Sequence, residues 1–371
     1  MSLDPAKFQV AIVGAGPAGC VAASLLARAG FRVALIEQSR FPREKVCGEC
    51  LSALGAEVLR RNNLLPQLPS HAVPLTHGRV FAGDELVAEV PLPLPMWGLS
   101  RSVLDTMLLD EARESAACVM QPARVEACQL EKCPVLTIRD LNSNQVSSVR
   151  ANIVLIADGK GSLLHRDVPS TGSLGVKCHL TNVEGAMNCI HLFGVTGHYV
   201  GLAPIEGDRW NLAFTVPAQR VTALRGDLTA LLASMKNENP ALARHLHHAA
   251  RVGAWHTCPL PRFPVASVWE ENVIPLGNAS AAIEPIGGEG MGLAIASAEL
   301  ASREIIASVR EGRAVDLSSL RAEFRRLWNA RQLGCRMAGI AISNRWLAPA
   351  AVRFLQDFPD VGSSVISFLG K

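Results

Sequence analysis

Apolar positions along this 371-residue chain follow two periods, and the change between them marks the expected elements. An apolar run, Phe8-Gln9-Val10-Ala11-Ile12-Val13, reads as a buried strand; residues 20–28 have the spacing of a helix, and Arg32-Val33-Ala34-Leu35-Ile36 reads as a second strand. Residues 151–156 form another buried-type strand. Alternating runs at 174–180, 186–193, 199–205 and 210–216 predict an antiparallel sheet, with Glu206-Gly207-Asp208 as a hairpin turn. A helical stretch is expected over 224–251, a long helix over 293–310, and a helical tail from Leu317 broken near Pro349 and Pro359. Pro91-Leu92-Pro93-Leu94-Pro95 lacks the N–H groups of a central strand and reads as an extended edge or loop.

The turn between the first strand and helix is Gly14-Ala15-Gly16-Pro17-Ala18-Gly19. Gly14 suits the tight turn, Gly16 the close approach of a pyrophosphate, and Gly19 the packing of helix on sheet. Pro17 and Ala18 open the helix, whose free N–H groups and partial positive charge favour an anion. Glu37, at the tip of the second strand, is placed to accept from a ribose 2′-OH. Strand, glycine turn, helix, strand and acid in that order point to dinucleotide binding.

The formal net charge of +3 is small and its charges are interspersed, which gives no nucleic-acid footprint. The start of the cofactor strand by Phe8 leaves no room for a signal peptide, and no apolar run is long enough for a membrane span, so the chain reads as cytoplasmic. Its ten cysteines read mostly as buried thiols, and with one isolated C-x-x-C, Cys47 and Cys50, no metal site is expected. The histidines of Arg244-His245-Leu246-His247-His248 read as a solvated helix face.

After Glu37 and Gln38 comes Phe41-Pro42-Arg43-Glu44-Lys45-Val46-Cys47-Gly48. It resembles the F-P-R-x-K-x-C-G motif of FAD-dependent oxidoreductases of the geranylgeranyl reductase branch of the p-hydroxybenzoate-hydroxylase-like clan. Arg101-Ser102-Val103-Leu104-Asp105 is similar to the clan's R-x-x-L-D motif, and Asp158-Gly159 to its D-G motif. Gly277-Asn278-Ala279 and Pro285-Ile286-Gly287-Gly288-Glu289-Gly290 resemble G-D-A followed by P-x-x-G-x-G. The resemblance implies a glutathione-reductase-like FAD-binding Rossmann domain of α/β class, with an inserted antiparallel β-sheet substrate domain and a helical C-terminal tail. Segments 1–70, 97–165 and 269–316 would form the FAD domain, 71–96 and 166–268 the substrate domain, and 317–371 the tail.

The same resemblance implies that Arg101 reaches the FAD pyrophosphate and that Asp158 and Gly159 fix the cofactor region. Gln38, Lys45, Cys47 and Gly48 would touch the cofactor, while Gly277, Asn278, Pro285, Gly288, Gly290, Met291 and Gly292 would cradle its ribityl chain and flavin edge. Asn278 stands where the family has aspartate, which removes a charge from that contact.

Three residues are candidates for chemistry: Cys47, as proton donor or as packing beside the flavin ring, and His198 and Tyr199, as proton donor and cavity residue. Gly201 replaces the tryptophan of the branch's Y-x-W-x-x-P motif, which suggests a differently shaped cavity. The implied activity is reduction of a carbon–carbon double bond in an apolar isoprenoid, lipid or polyketide-like substrate, by hydride transfer from flavin N5. An aromatic monooxygenase using NAD(P)H and oxygen is the alternative enzyme, and a flavin and thiol redox sensor the alternative of another class. The W-x-W-x-I-P motif of the clan's halogenases is absent. With one dinucleotide fingerprint, NAD(P)H is expected to bind transiently as donor, or a protein donor acts instead. The aromatic tail, Trp328, Trp346, Phe354, Phe358 and Phe368, reads as core, with a substrate lip or peripheral membrane contact as the lesser reading.

Overall fold

The computed structural model describes residues 6–83, 86–130, 133–159, 163, 172–260, 262–358 and 360. Arg166, Pro359 and Phe368 lie outside these residues. The chain opens with β1 (Ala6–Val13), α1 (Pro17–Arg28) and β2 (Val33–Ile36), a βαβ unit whose strands pair in parallel. β3 (Cys50–Leu51), α2 (Ala53–Arg61) and the short α3 (Leu68–His71) lead to β4 (Val73–Ala82) and β5 (Leu86–Gly98). Then come α4 (Arg101–Glu114), β6 (Cys118–Met120), β7 (Ala123–Gln129), β8 (Val135–Asp140) and β9 (Val146–Ile156). β10 (Ser173–Thr181), β11 (Cys189–Val195), β12 (His198–Ile205) and β13 (Arg209–Pro217) follow the predicted alternating runs, with the turn at 206–208. The chain continues with α5 (Ala218–Ala223), α6 (Leu228–Glu238), α7 (Pro240–His245), β14 (Ala250–Pro259) and β15 (Val273–Pro275), and closes with α8 (Gly290–Glu311), α9 (Leu317–Ser343) and α10 (Leu347–Asp357).

Among the described residues the strands form two sheets. The first runs β6-β2-β1-β9-β8-β7, with β15 beside β9; its centre is parallel and the β7–β9 end antiparallel. Val10, Ile12, Val33 and Leu35 face α1, α4 and α8 across one buried core, whereas Ala11, Val13, Ala34 and Ile36 face a smaller core under β7–β9. Burial on both faces explains the unbroken apolar runs. The second sheet runs β14-β10-β13-β12-β11-β4-β5-β3, mostly antiparallel. Val176, Cys178, Leu180, Leu212 and Phe214 pack one face of it against α6 and α7. The other face meets the loop at residues 44–50 through Lys177, His179 and Asn211.

Several expectations need correction. The 224–251 stretch is not one helix: α6 and α7 are short, and residues 250–259 are the edge strand β14. β14 is largely exposed, so it lacks the alternation that would have revealed it. The proline run lies in β5, near the sheet edge, where the pairing skips from Leu75↔Met96 to His77↔Pro91 and leaves residues 92–95 bulged out. The tail breaks at Asn344–Trp346 between α9 and α10, and Pro349 falls in the first turn of α10, where a missing N–H costs nothing. Trp328 and Phe324 are core, while Trp346, Phe354 and Phe358 are exposed. Of the ten cysteines five are buried, and Cys118 and Cys133 are exposed. His245 is not solvated: it packs edge-on to Phe81 and Phe193, 3.1 Å from His191. No described helix is long and apolar enough to cross a membrane.

Candidate active site

A cleft of about 790 Å³ runs between the two sheets, and its floor is the glycine turn. Gly14 has φ +98°, and a Cβ there would lie 2.5 Å from the Ala157 carbonyl oxygen. A Cβ on Gly19 would lie 1.9 Å from the Gly14 oxygen, so Gly19 is the contact between helix and strand and does not line the cleft. Gly16 is different: a Cβ there would meet nothing nearer than Arg43 Nη2 at 3.8 Å and Arg101 Nη2 at 3.9 Å. Two guanidinium groups thus overhang the N-terminus of α1, which carries no acid in its first turn.

Asp105, fully buried, accepts from Arg101 Nε at 2.7 Å and Arg101 Nη2 at 2.8 Å, and from Arg43 Nη2 at 3.3 Å. Burial alone would lower the Arg101 pKa, but the Asp105 carboxylate outweighs it and the net shift is upward. Glu37 accepts from Ala15 N at 2.8 Å, Ser39 N at 2.6 Å and Arg43 Nη1 at 3.0 Å. It therefore fastens the glycine turn to β2 and keeps roughly one of its four lone-pair sites for a ribose hydroxyl. Beyond it Gln38 and residues 123–126 line the far end of the cleft, where Arg124 Nε donates to Gln38 Oε1 at 3.1 Å.

At the opposite end the wall is Gly277, Asn278, Pro285, Gly288, Gly290 and Met291, beside Asp158 and Gly159. Gly292 is not in this wall: a Cβ there would lie 2.0 Å from Ser52 Oγ, so it is a packing contact between α8 and α2. The Pro285–Gly288 turn is held from behind. Glu284 accepts from Tyr199 Oη at 2.7 Å and pairs with Arg262, and Glu289 lies 3.7 Å from Arg331. Burial pushes the Glu289 carboxyl up to about 7, against the pull of Arg331.

Neither Tyr199 nor His198 lines the cleft. Successive residues of a strand point to opposite faces. His198 therefore points toward α5, with Nδ1 3.0 Å from the Thr196 carbonyl, and burial pushes its pKa down to about 4. Tyr199 points toward Glu284, behind the cofactor turn. Their positions are those of structural residues.

Between the two ends the cleft is bounded by residues 44–50 and by residues 255–260 of β14 and its exit. Lys45, Cys47 and Gly48 lie in this wall, and the Cys47 carbonyl accepts from Asn211 Nδ2 at 3.0 Å. Cys50 is buried, its thiol donates to the Gly48 carbonyl at 3.4 Å, and burial raises its pKa far above the ordinary value. Behind the loop lies a cluster that sequence reasoning missed. Lys177, fully buried, donates to Glu44 Oε2 at 2.6 Å and to Glu49 Oε1, while His179 Nε2 lies 2.6 Å from Glu49 Oε2. Arg101 N also donates to Glu49 Oε1, at 2.8 Å. Burial would raise the Glu49 pKa, but His179 and Lys177 bring it below the ordinary carboxylate value. Glu44, Glu49 and His179 are close enough together to hold a cation, but the Lys177 ammonium already occupies that place. The available signal was two polar residues, Lys177 and His179, at alternate positions of an otherwise apolar run.

The cleft fits a dinucleotide with a diphosphate at its middle. Gly16 leaves space for it, the α1 N-terminus and two arginines neutralise it, and glycine-rich walls stand at the far side. The family described as FAD binding domain matches residues 7–333. The chain belongs to this family. This FAD-binding protein is 25% identical to conditioned medium factor receptor 1 of Dictyostelium discoideum over 83% of its own length, and spans 65% of that relative. It is 25% identical to digeranylgeranylglycerophospholipid reductase 2 of Methanopyrus kandleri, over 82% of its own length and 78% of that protein. Among solved structures it superposes on the flavin-dependent brominase Bmp2 with TM-score 0.81 and 20% identity, covering 98% of this chain and 93% of that one. At that identity the likeness shows the fold.

Proposed function

We propose that this FAD-dependent oxidoreductase adds a hydride and a proton across a carbon–carbon double bond of an apolar substrate. The observation that carries the reading is the Glu44–Gly48 wall: Glu44 and Cys47 line the cleft, with the buried groups Glu49, Lys177 and His179 directly behind. Bound FAD, once reduced, supplies the hydride chemistry. The chain's own residues hold the diphosphate, cover the cleft with the second sheet and keep a proton donor at its wall. The F-P-R-x-K-x-C-G resemblance and the name of the Methanopyrus relative support a reductase acting on an isoprenoid lipid. Against a thiol sensor stands Cys50, which is buried, with its thiol hydrogen-bonded to the Gly48 carbonyl and its pKa raised by that burial.

The test is anaerobic. Holoprotein reduced with dithionite is mixed with a panel of polyprenyl lipids and quinones, and products are read by mass spectrometry. A gain of two hydrogens without oxygen is the expected result, with the rate at least about tenfold lower in Cys47→Ala. Product formed only in air, with oxygen incorporated, overturns the reading in favour of a monooxygenase.

A further inference from the structure

The cluster behind the cleft wall is unusual in its connectivity. β10 carries its apolar side chains, Val176, Cys178 and Leu180, on the face toward α6 and α7. Its polar side chains, Lys177 and His179, therefore share the opposite face, and that face meets the Glu44–Cys50 loop instead of water. Glu49 is fully buried with φ +56°, and its carboxylate meets the sheet at Lys177 and His179. The result is an unbroken hydrogen-bonded chain in the order His179, Glu49, Lys177, Glu44. Glu44 lines the cleft, and its side chain is 29% exposed. At the other end the β10–β14 register slips: Lys177 pairs with His256 but His179 pairs with Val252, so β14 bulges beside His179. Arg251, Val252 and Gly253 at this bulge are exposed.

We propose that His179, Glu49, Lys177 and Glu44 form a relay that carries protons from solvent at the β14 bulge to the cleft. The relay opens on the cleft at the Glu44 carboxyl, which replenishes the proton that the Cys47 thiol of the same wall gives up. Lys177 passes a proton to Glu44, Glu49 hands Lys177 the proton that His179 releases, and His179 recovers one from water. One proton crosses for each passage, and no electron moves within the relay. FAD, when bound, would supply the electron chemistry that the proton accompanies. Groups facing the relay from neighbouring elements are the Arg101 backbone N–H, which donates to Glu49, Asn211 opposite His179 on β13, and His256 opposite Lys177 on β14, which also lines the cleft. The proton's use on a substrate carbon rests on the reductase reading above; its delivery to the cleft does not.

The experiment separates the two. Holoprotein is mixed anaerobically by stopped flow, without substrate and in weakly buffered solution, with reduced methyl viologen, an electron donor that carries no proton, and proton uptake is followed with a pH-indicator dye. His179→Gln keeps a donor to Glu49 but cannot pass a proton, and Glu44→Gln keeps an acceptor for Lys177 but cannot take up a proton at the cleft end. Each is expected to slow uptake at least about tenfold, with external imidazole restoring the rate in His179→Gly. Lys177→Met breaks the middle of the chain, and if it fails to fold the two glutamine variants carry the test. Uptake within twofold of wild type in both glutamine variants overturns the relay. Slowed uptake together with no reduced product in the anaerobic lipid assay keeps the relay and overturns the reductase reading.

Discussion

Gly16 and Gly19 lie one helical turn apart, and replacing each asks a different question. At Gly16 the backbone is extended, with φ −76° and ψ −175°, which alanine adopts freely, and the nearest atoms to its methyl would be guanidinium nitrogens at 3.8 and 3.9 Å. Gly16→Ala is expected to lose about 1 kcal/mol of stability or less, the difference between glycine and alanine as an N-cap. The methyl would nevertheless stand in the space through which a diphosphate reaches the N–H groups of α1. A hydrogen bond to a charged group contributes roughly 1.5–3 kcal/mol. Losing two of them weakens FAD binding by about 3–6 kcal/mol, roughly 10²- to 10⁴-fold in Kd. At Gly19 the methyl would fall 1.9 Å from the Gly14 oxygen and 3.3 Å from Ala157 Cβ, so α1 must move off the sheet. Gly19→Ala is expected to lose about 3 kcal/mol of stability as an overpacked contact. Deflavinated protein titrated with FAD by fluorescence quenching, beside urea denaturation of the same preparations, reads both quantities. Wild-type FAD affinity in Gly16→Ala would refute the assignment of the cleft's middle to the diphosphate.

Acid sensitivity is the second expectation. Burial pushes His191 down to about 3 and His198 down to about 4, below the unfolded value of roughly 6.5, so their contribution is whole above that pH and is lost as pH falls toward 4. At pH 5 each lowers stability by about 2 kcal/mol, while Glu289, raised to about 7, acts in the opposite sense over the same window. The sharper measure is therefore His191→Phe, a ring placed among Phe81, Phe193 and Trp210, which should reduce the change in stability between pH 7 and pH 5 by about 2 kcal/mol in urea denaturation. An unchanged difference would count against a buried neutral His191. Tyr199→Phe removes one hydrogen bond to Glu284, which keeps Arg262 as partner, and should cost about 1–2 kcal/mol of stability with less than tenfold change in turnover. A hundredfold loss of turnover would return Tyr199 to the catalytic candidates.

The sequence by itself determined what depends on neighbours along the chain. The glycine turn, Pro17 at the first helical position, Glu37 at the strand tip and the alternation of β10 to β13 are local, since backbone geometry and the strand period fix them within a few residues. The cleft-lining loop was legible through its motif, from Lys45 to Gly48. Only the tertiary structure decided what each face meets. A strand's period says that Lys177 and His179 share a side, and water is the ordinary neighbour of such a side. Here the neighbours are Glu44 and Glu49, the latter 128 residues away from Lys177 and 130 from His179. The same ignorance of the opposing layer misassigned His198 and Tyr199, which point away from the cleft, and hid β14, whose exposed edge bears no pattern to read. Periodicity records which residues lie together, and packing of one layer on another supplies their partners.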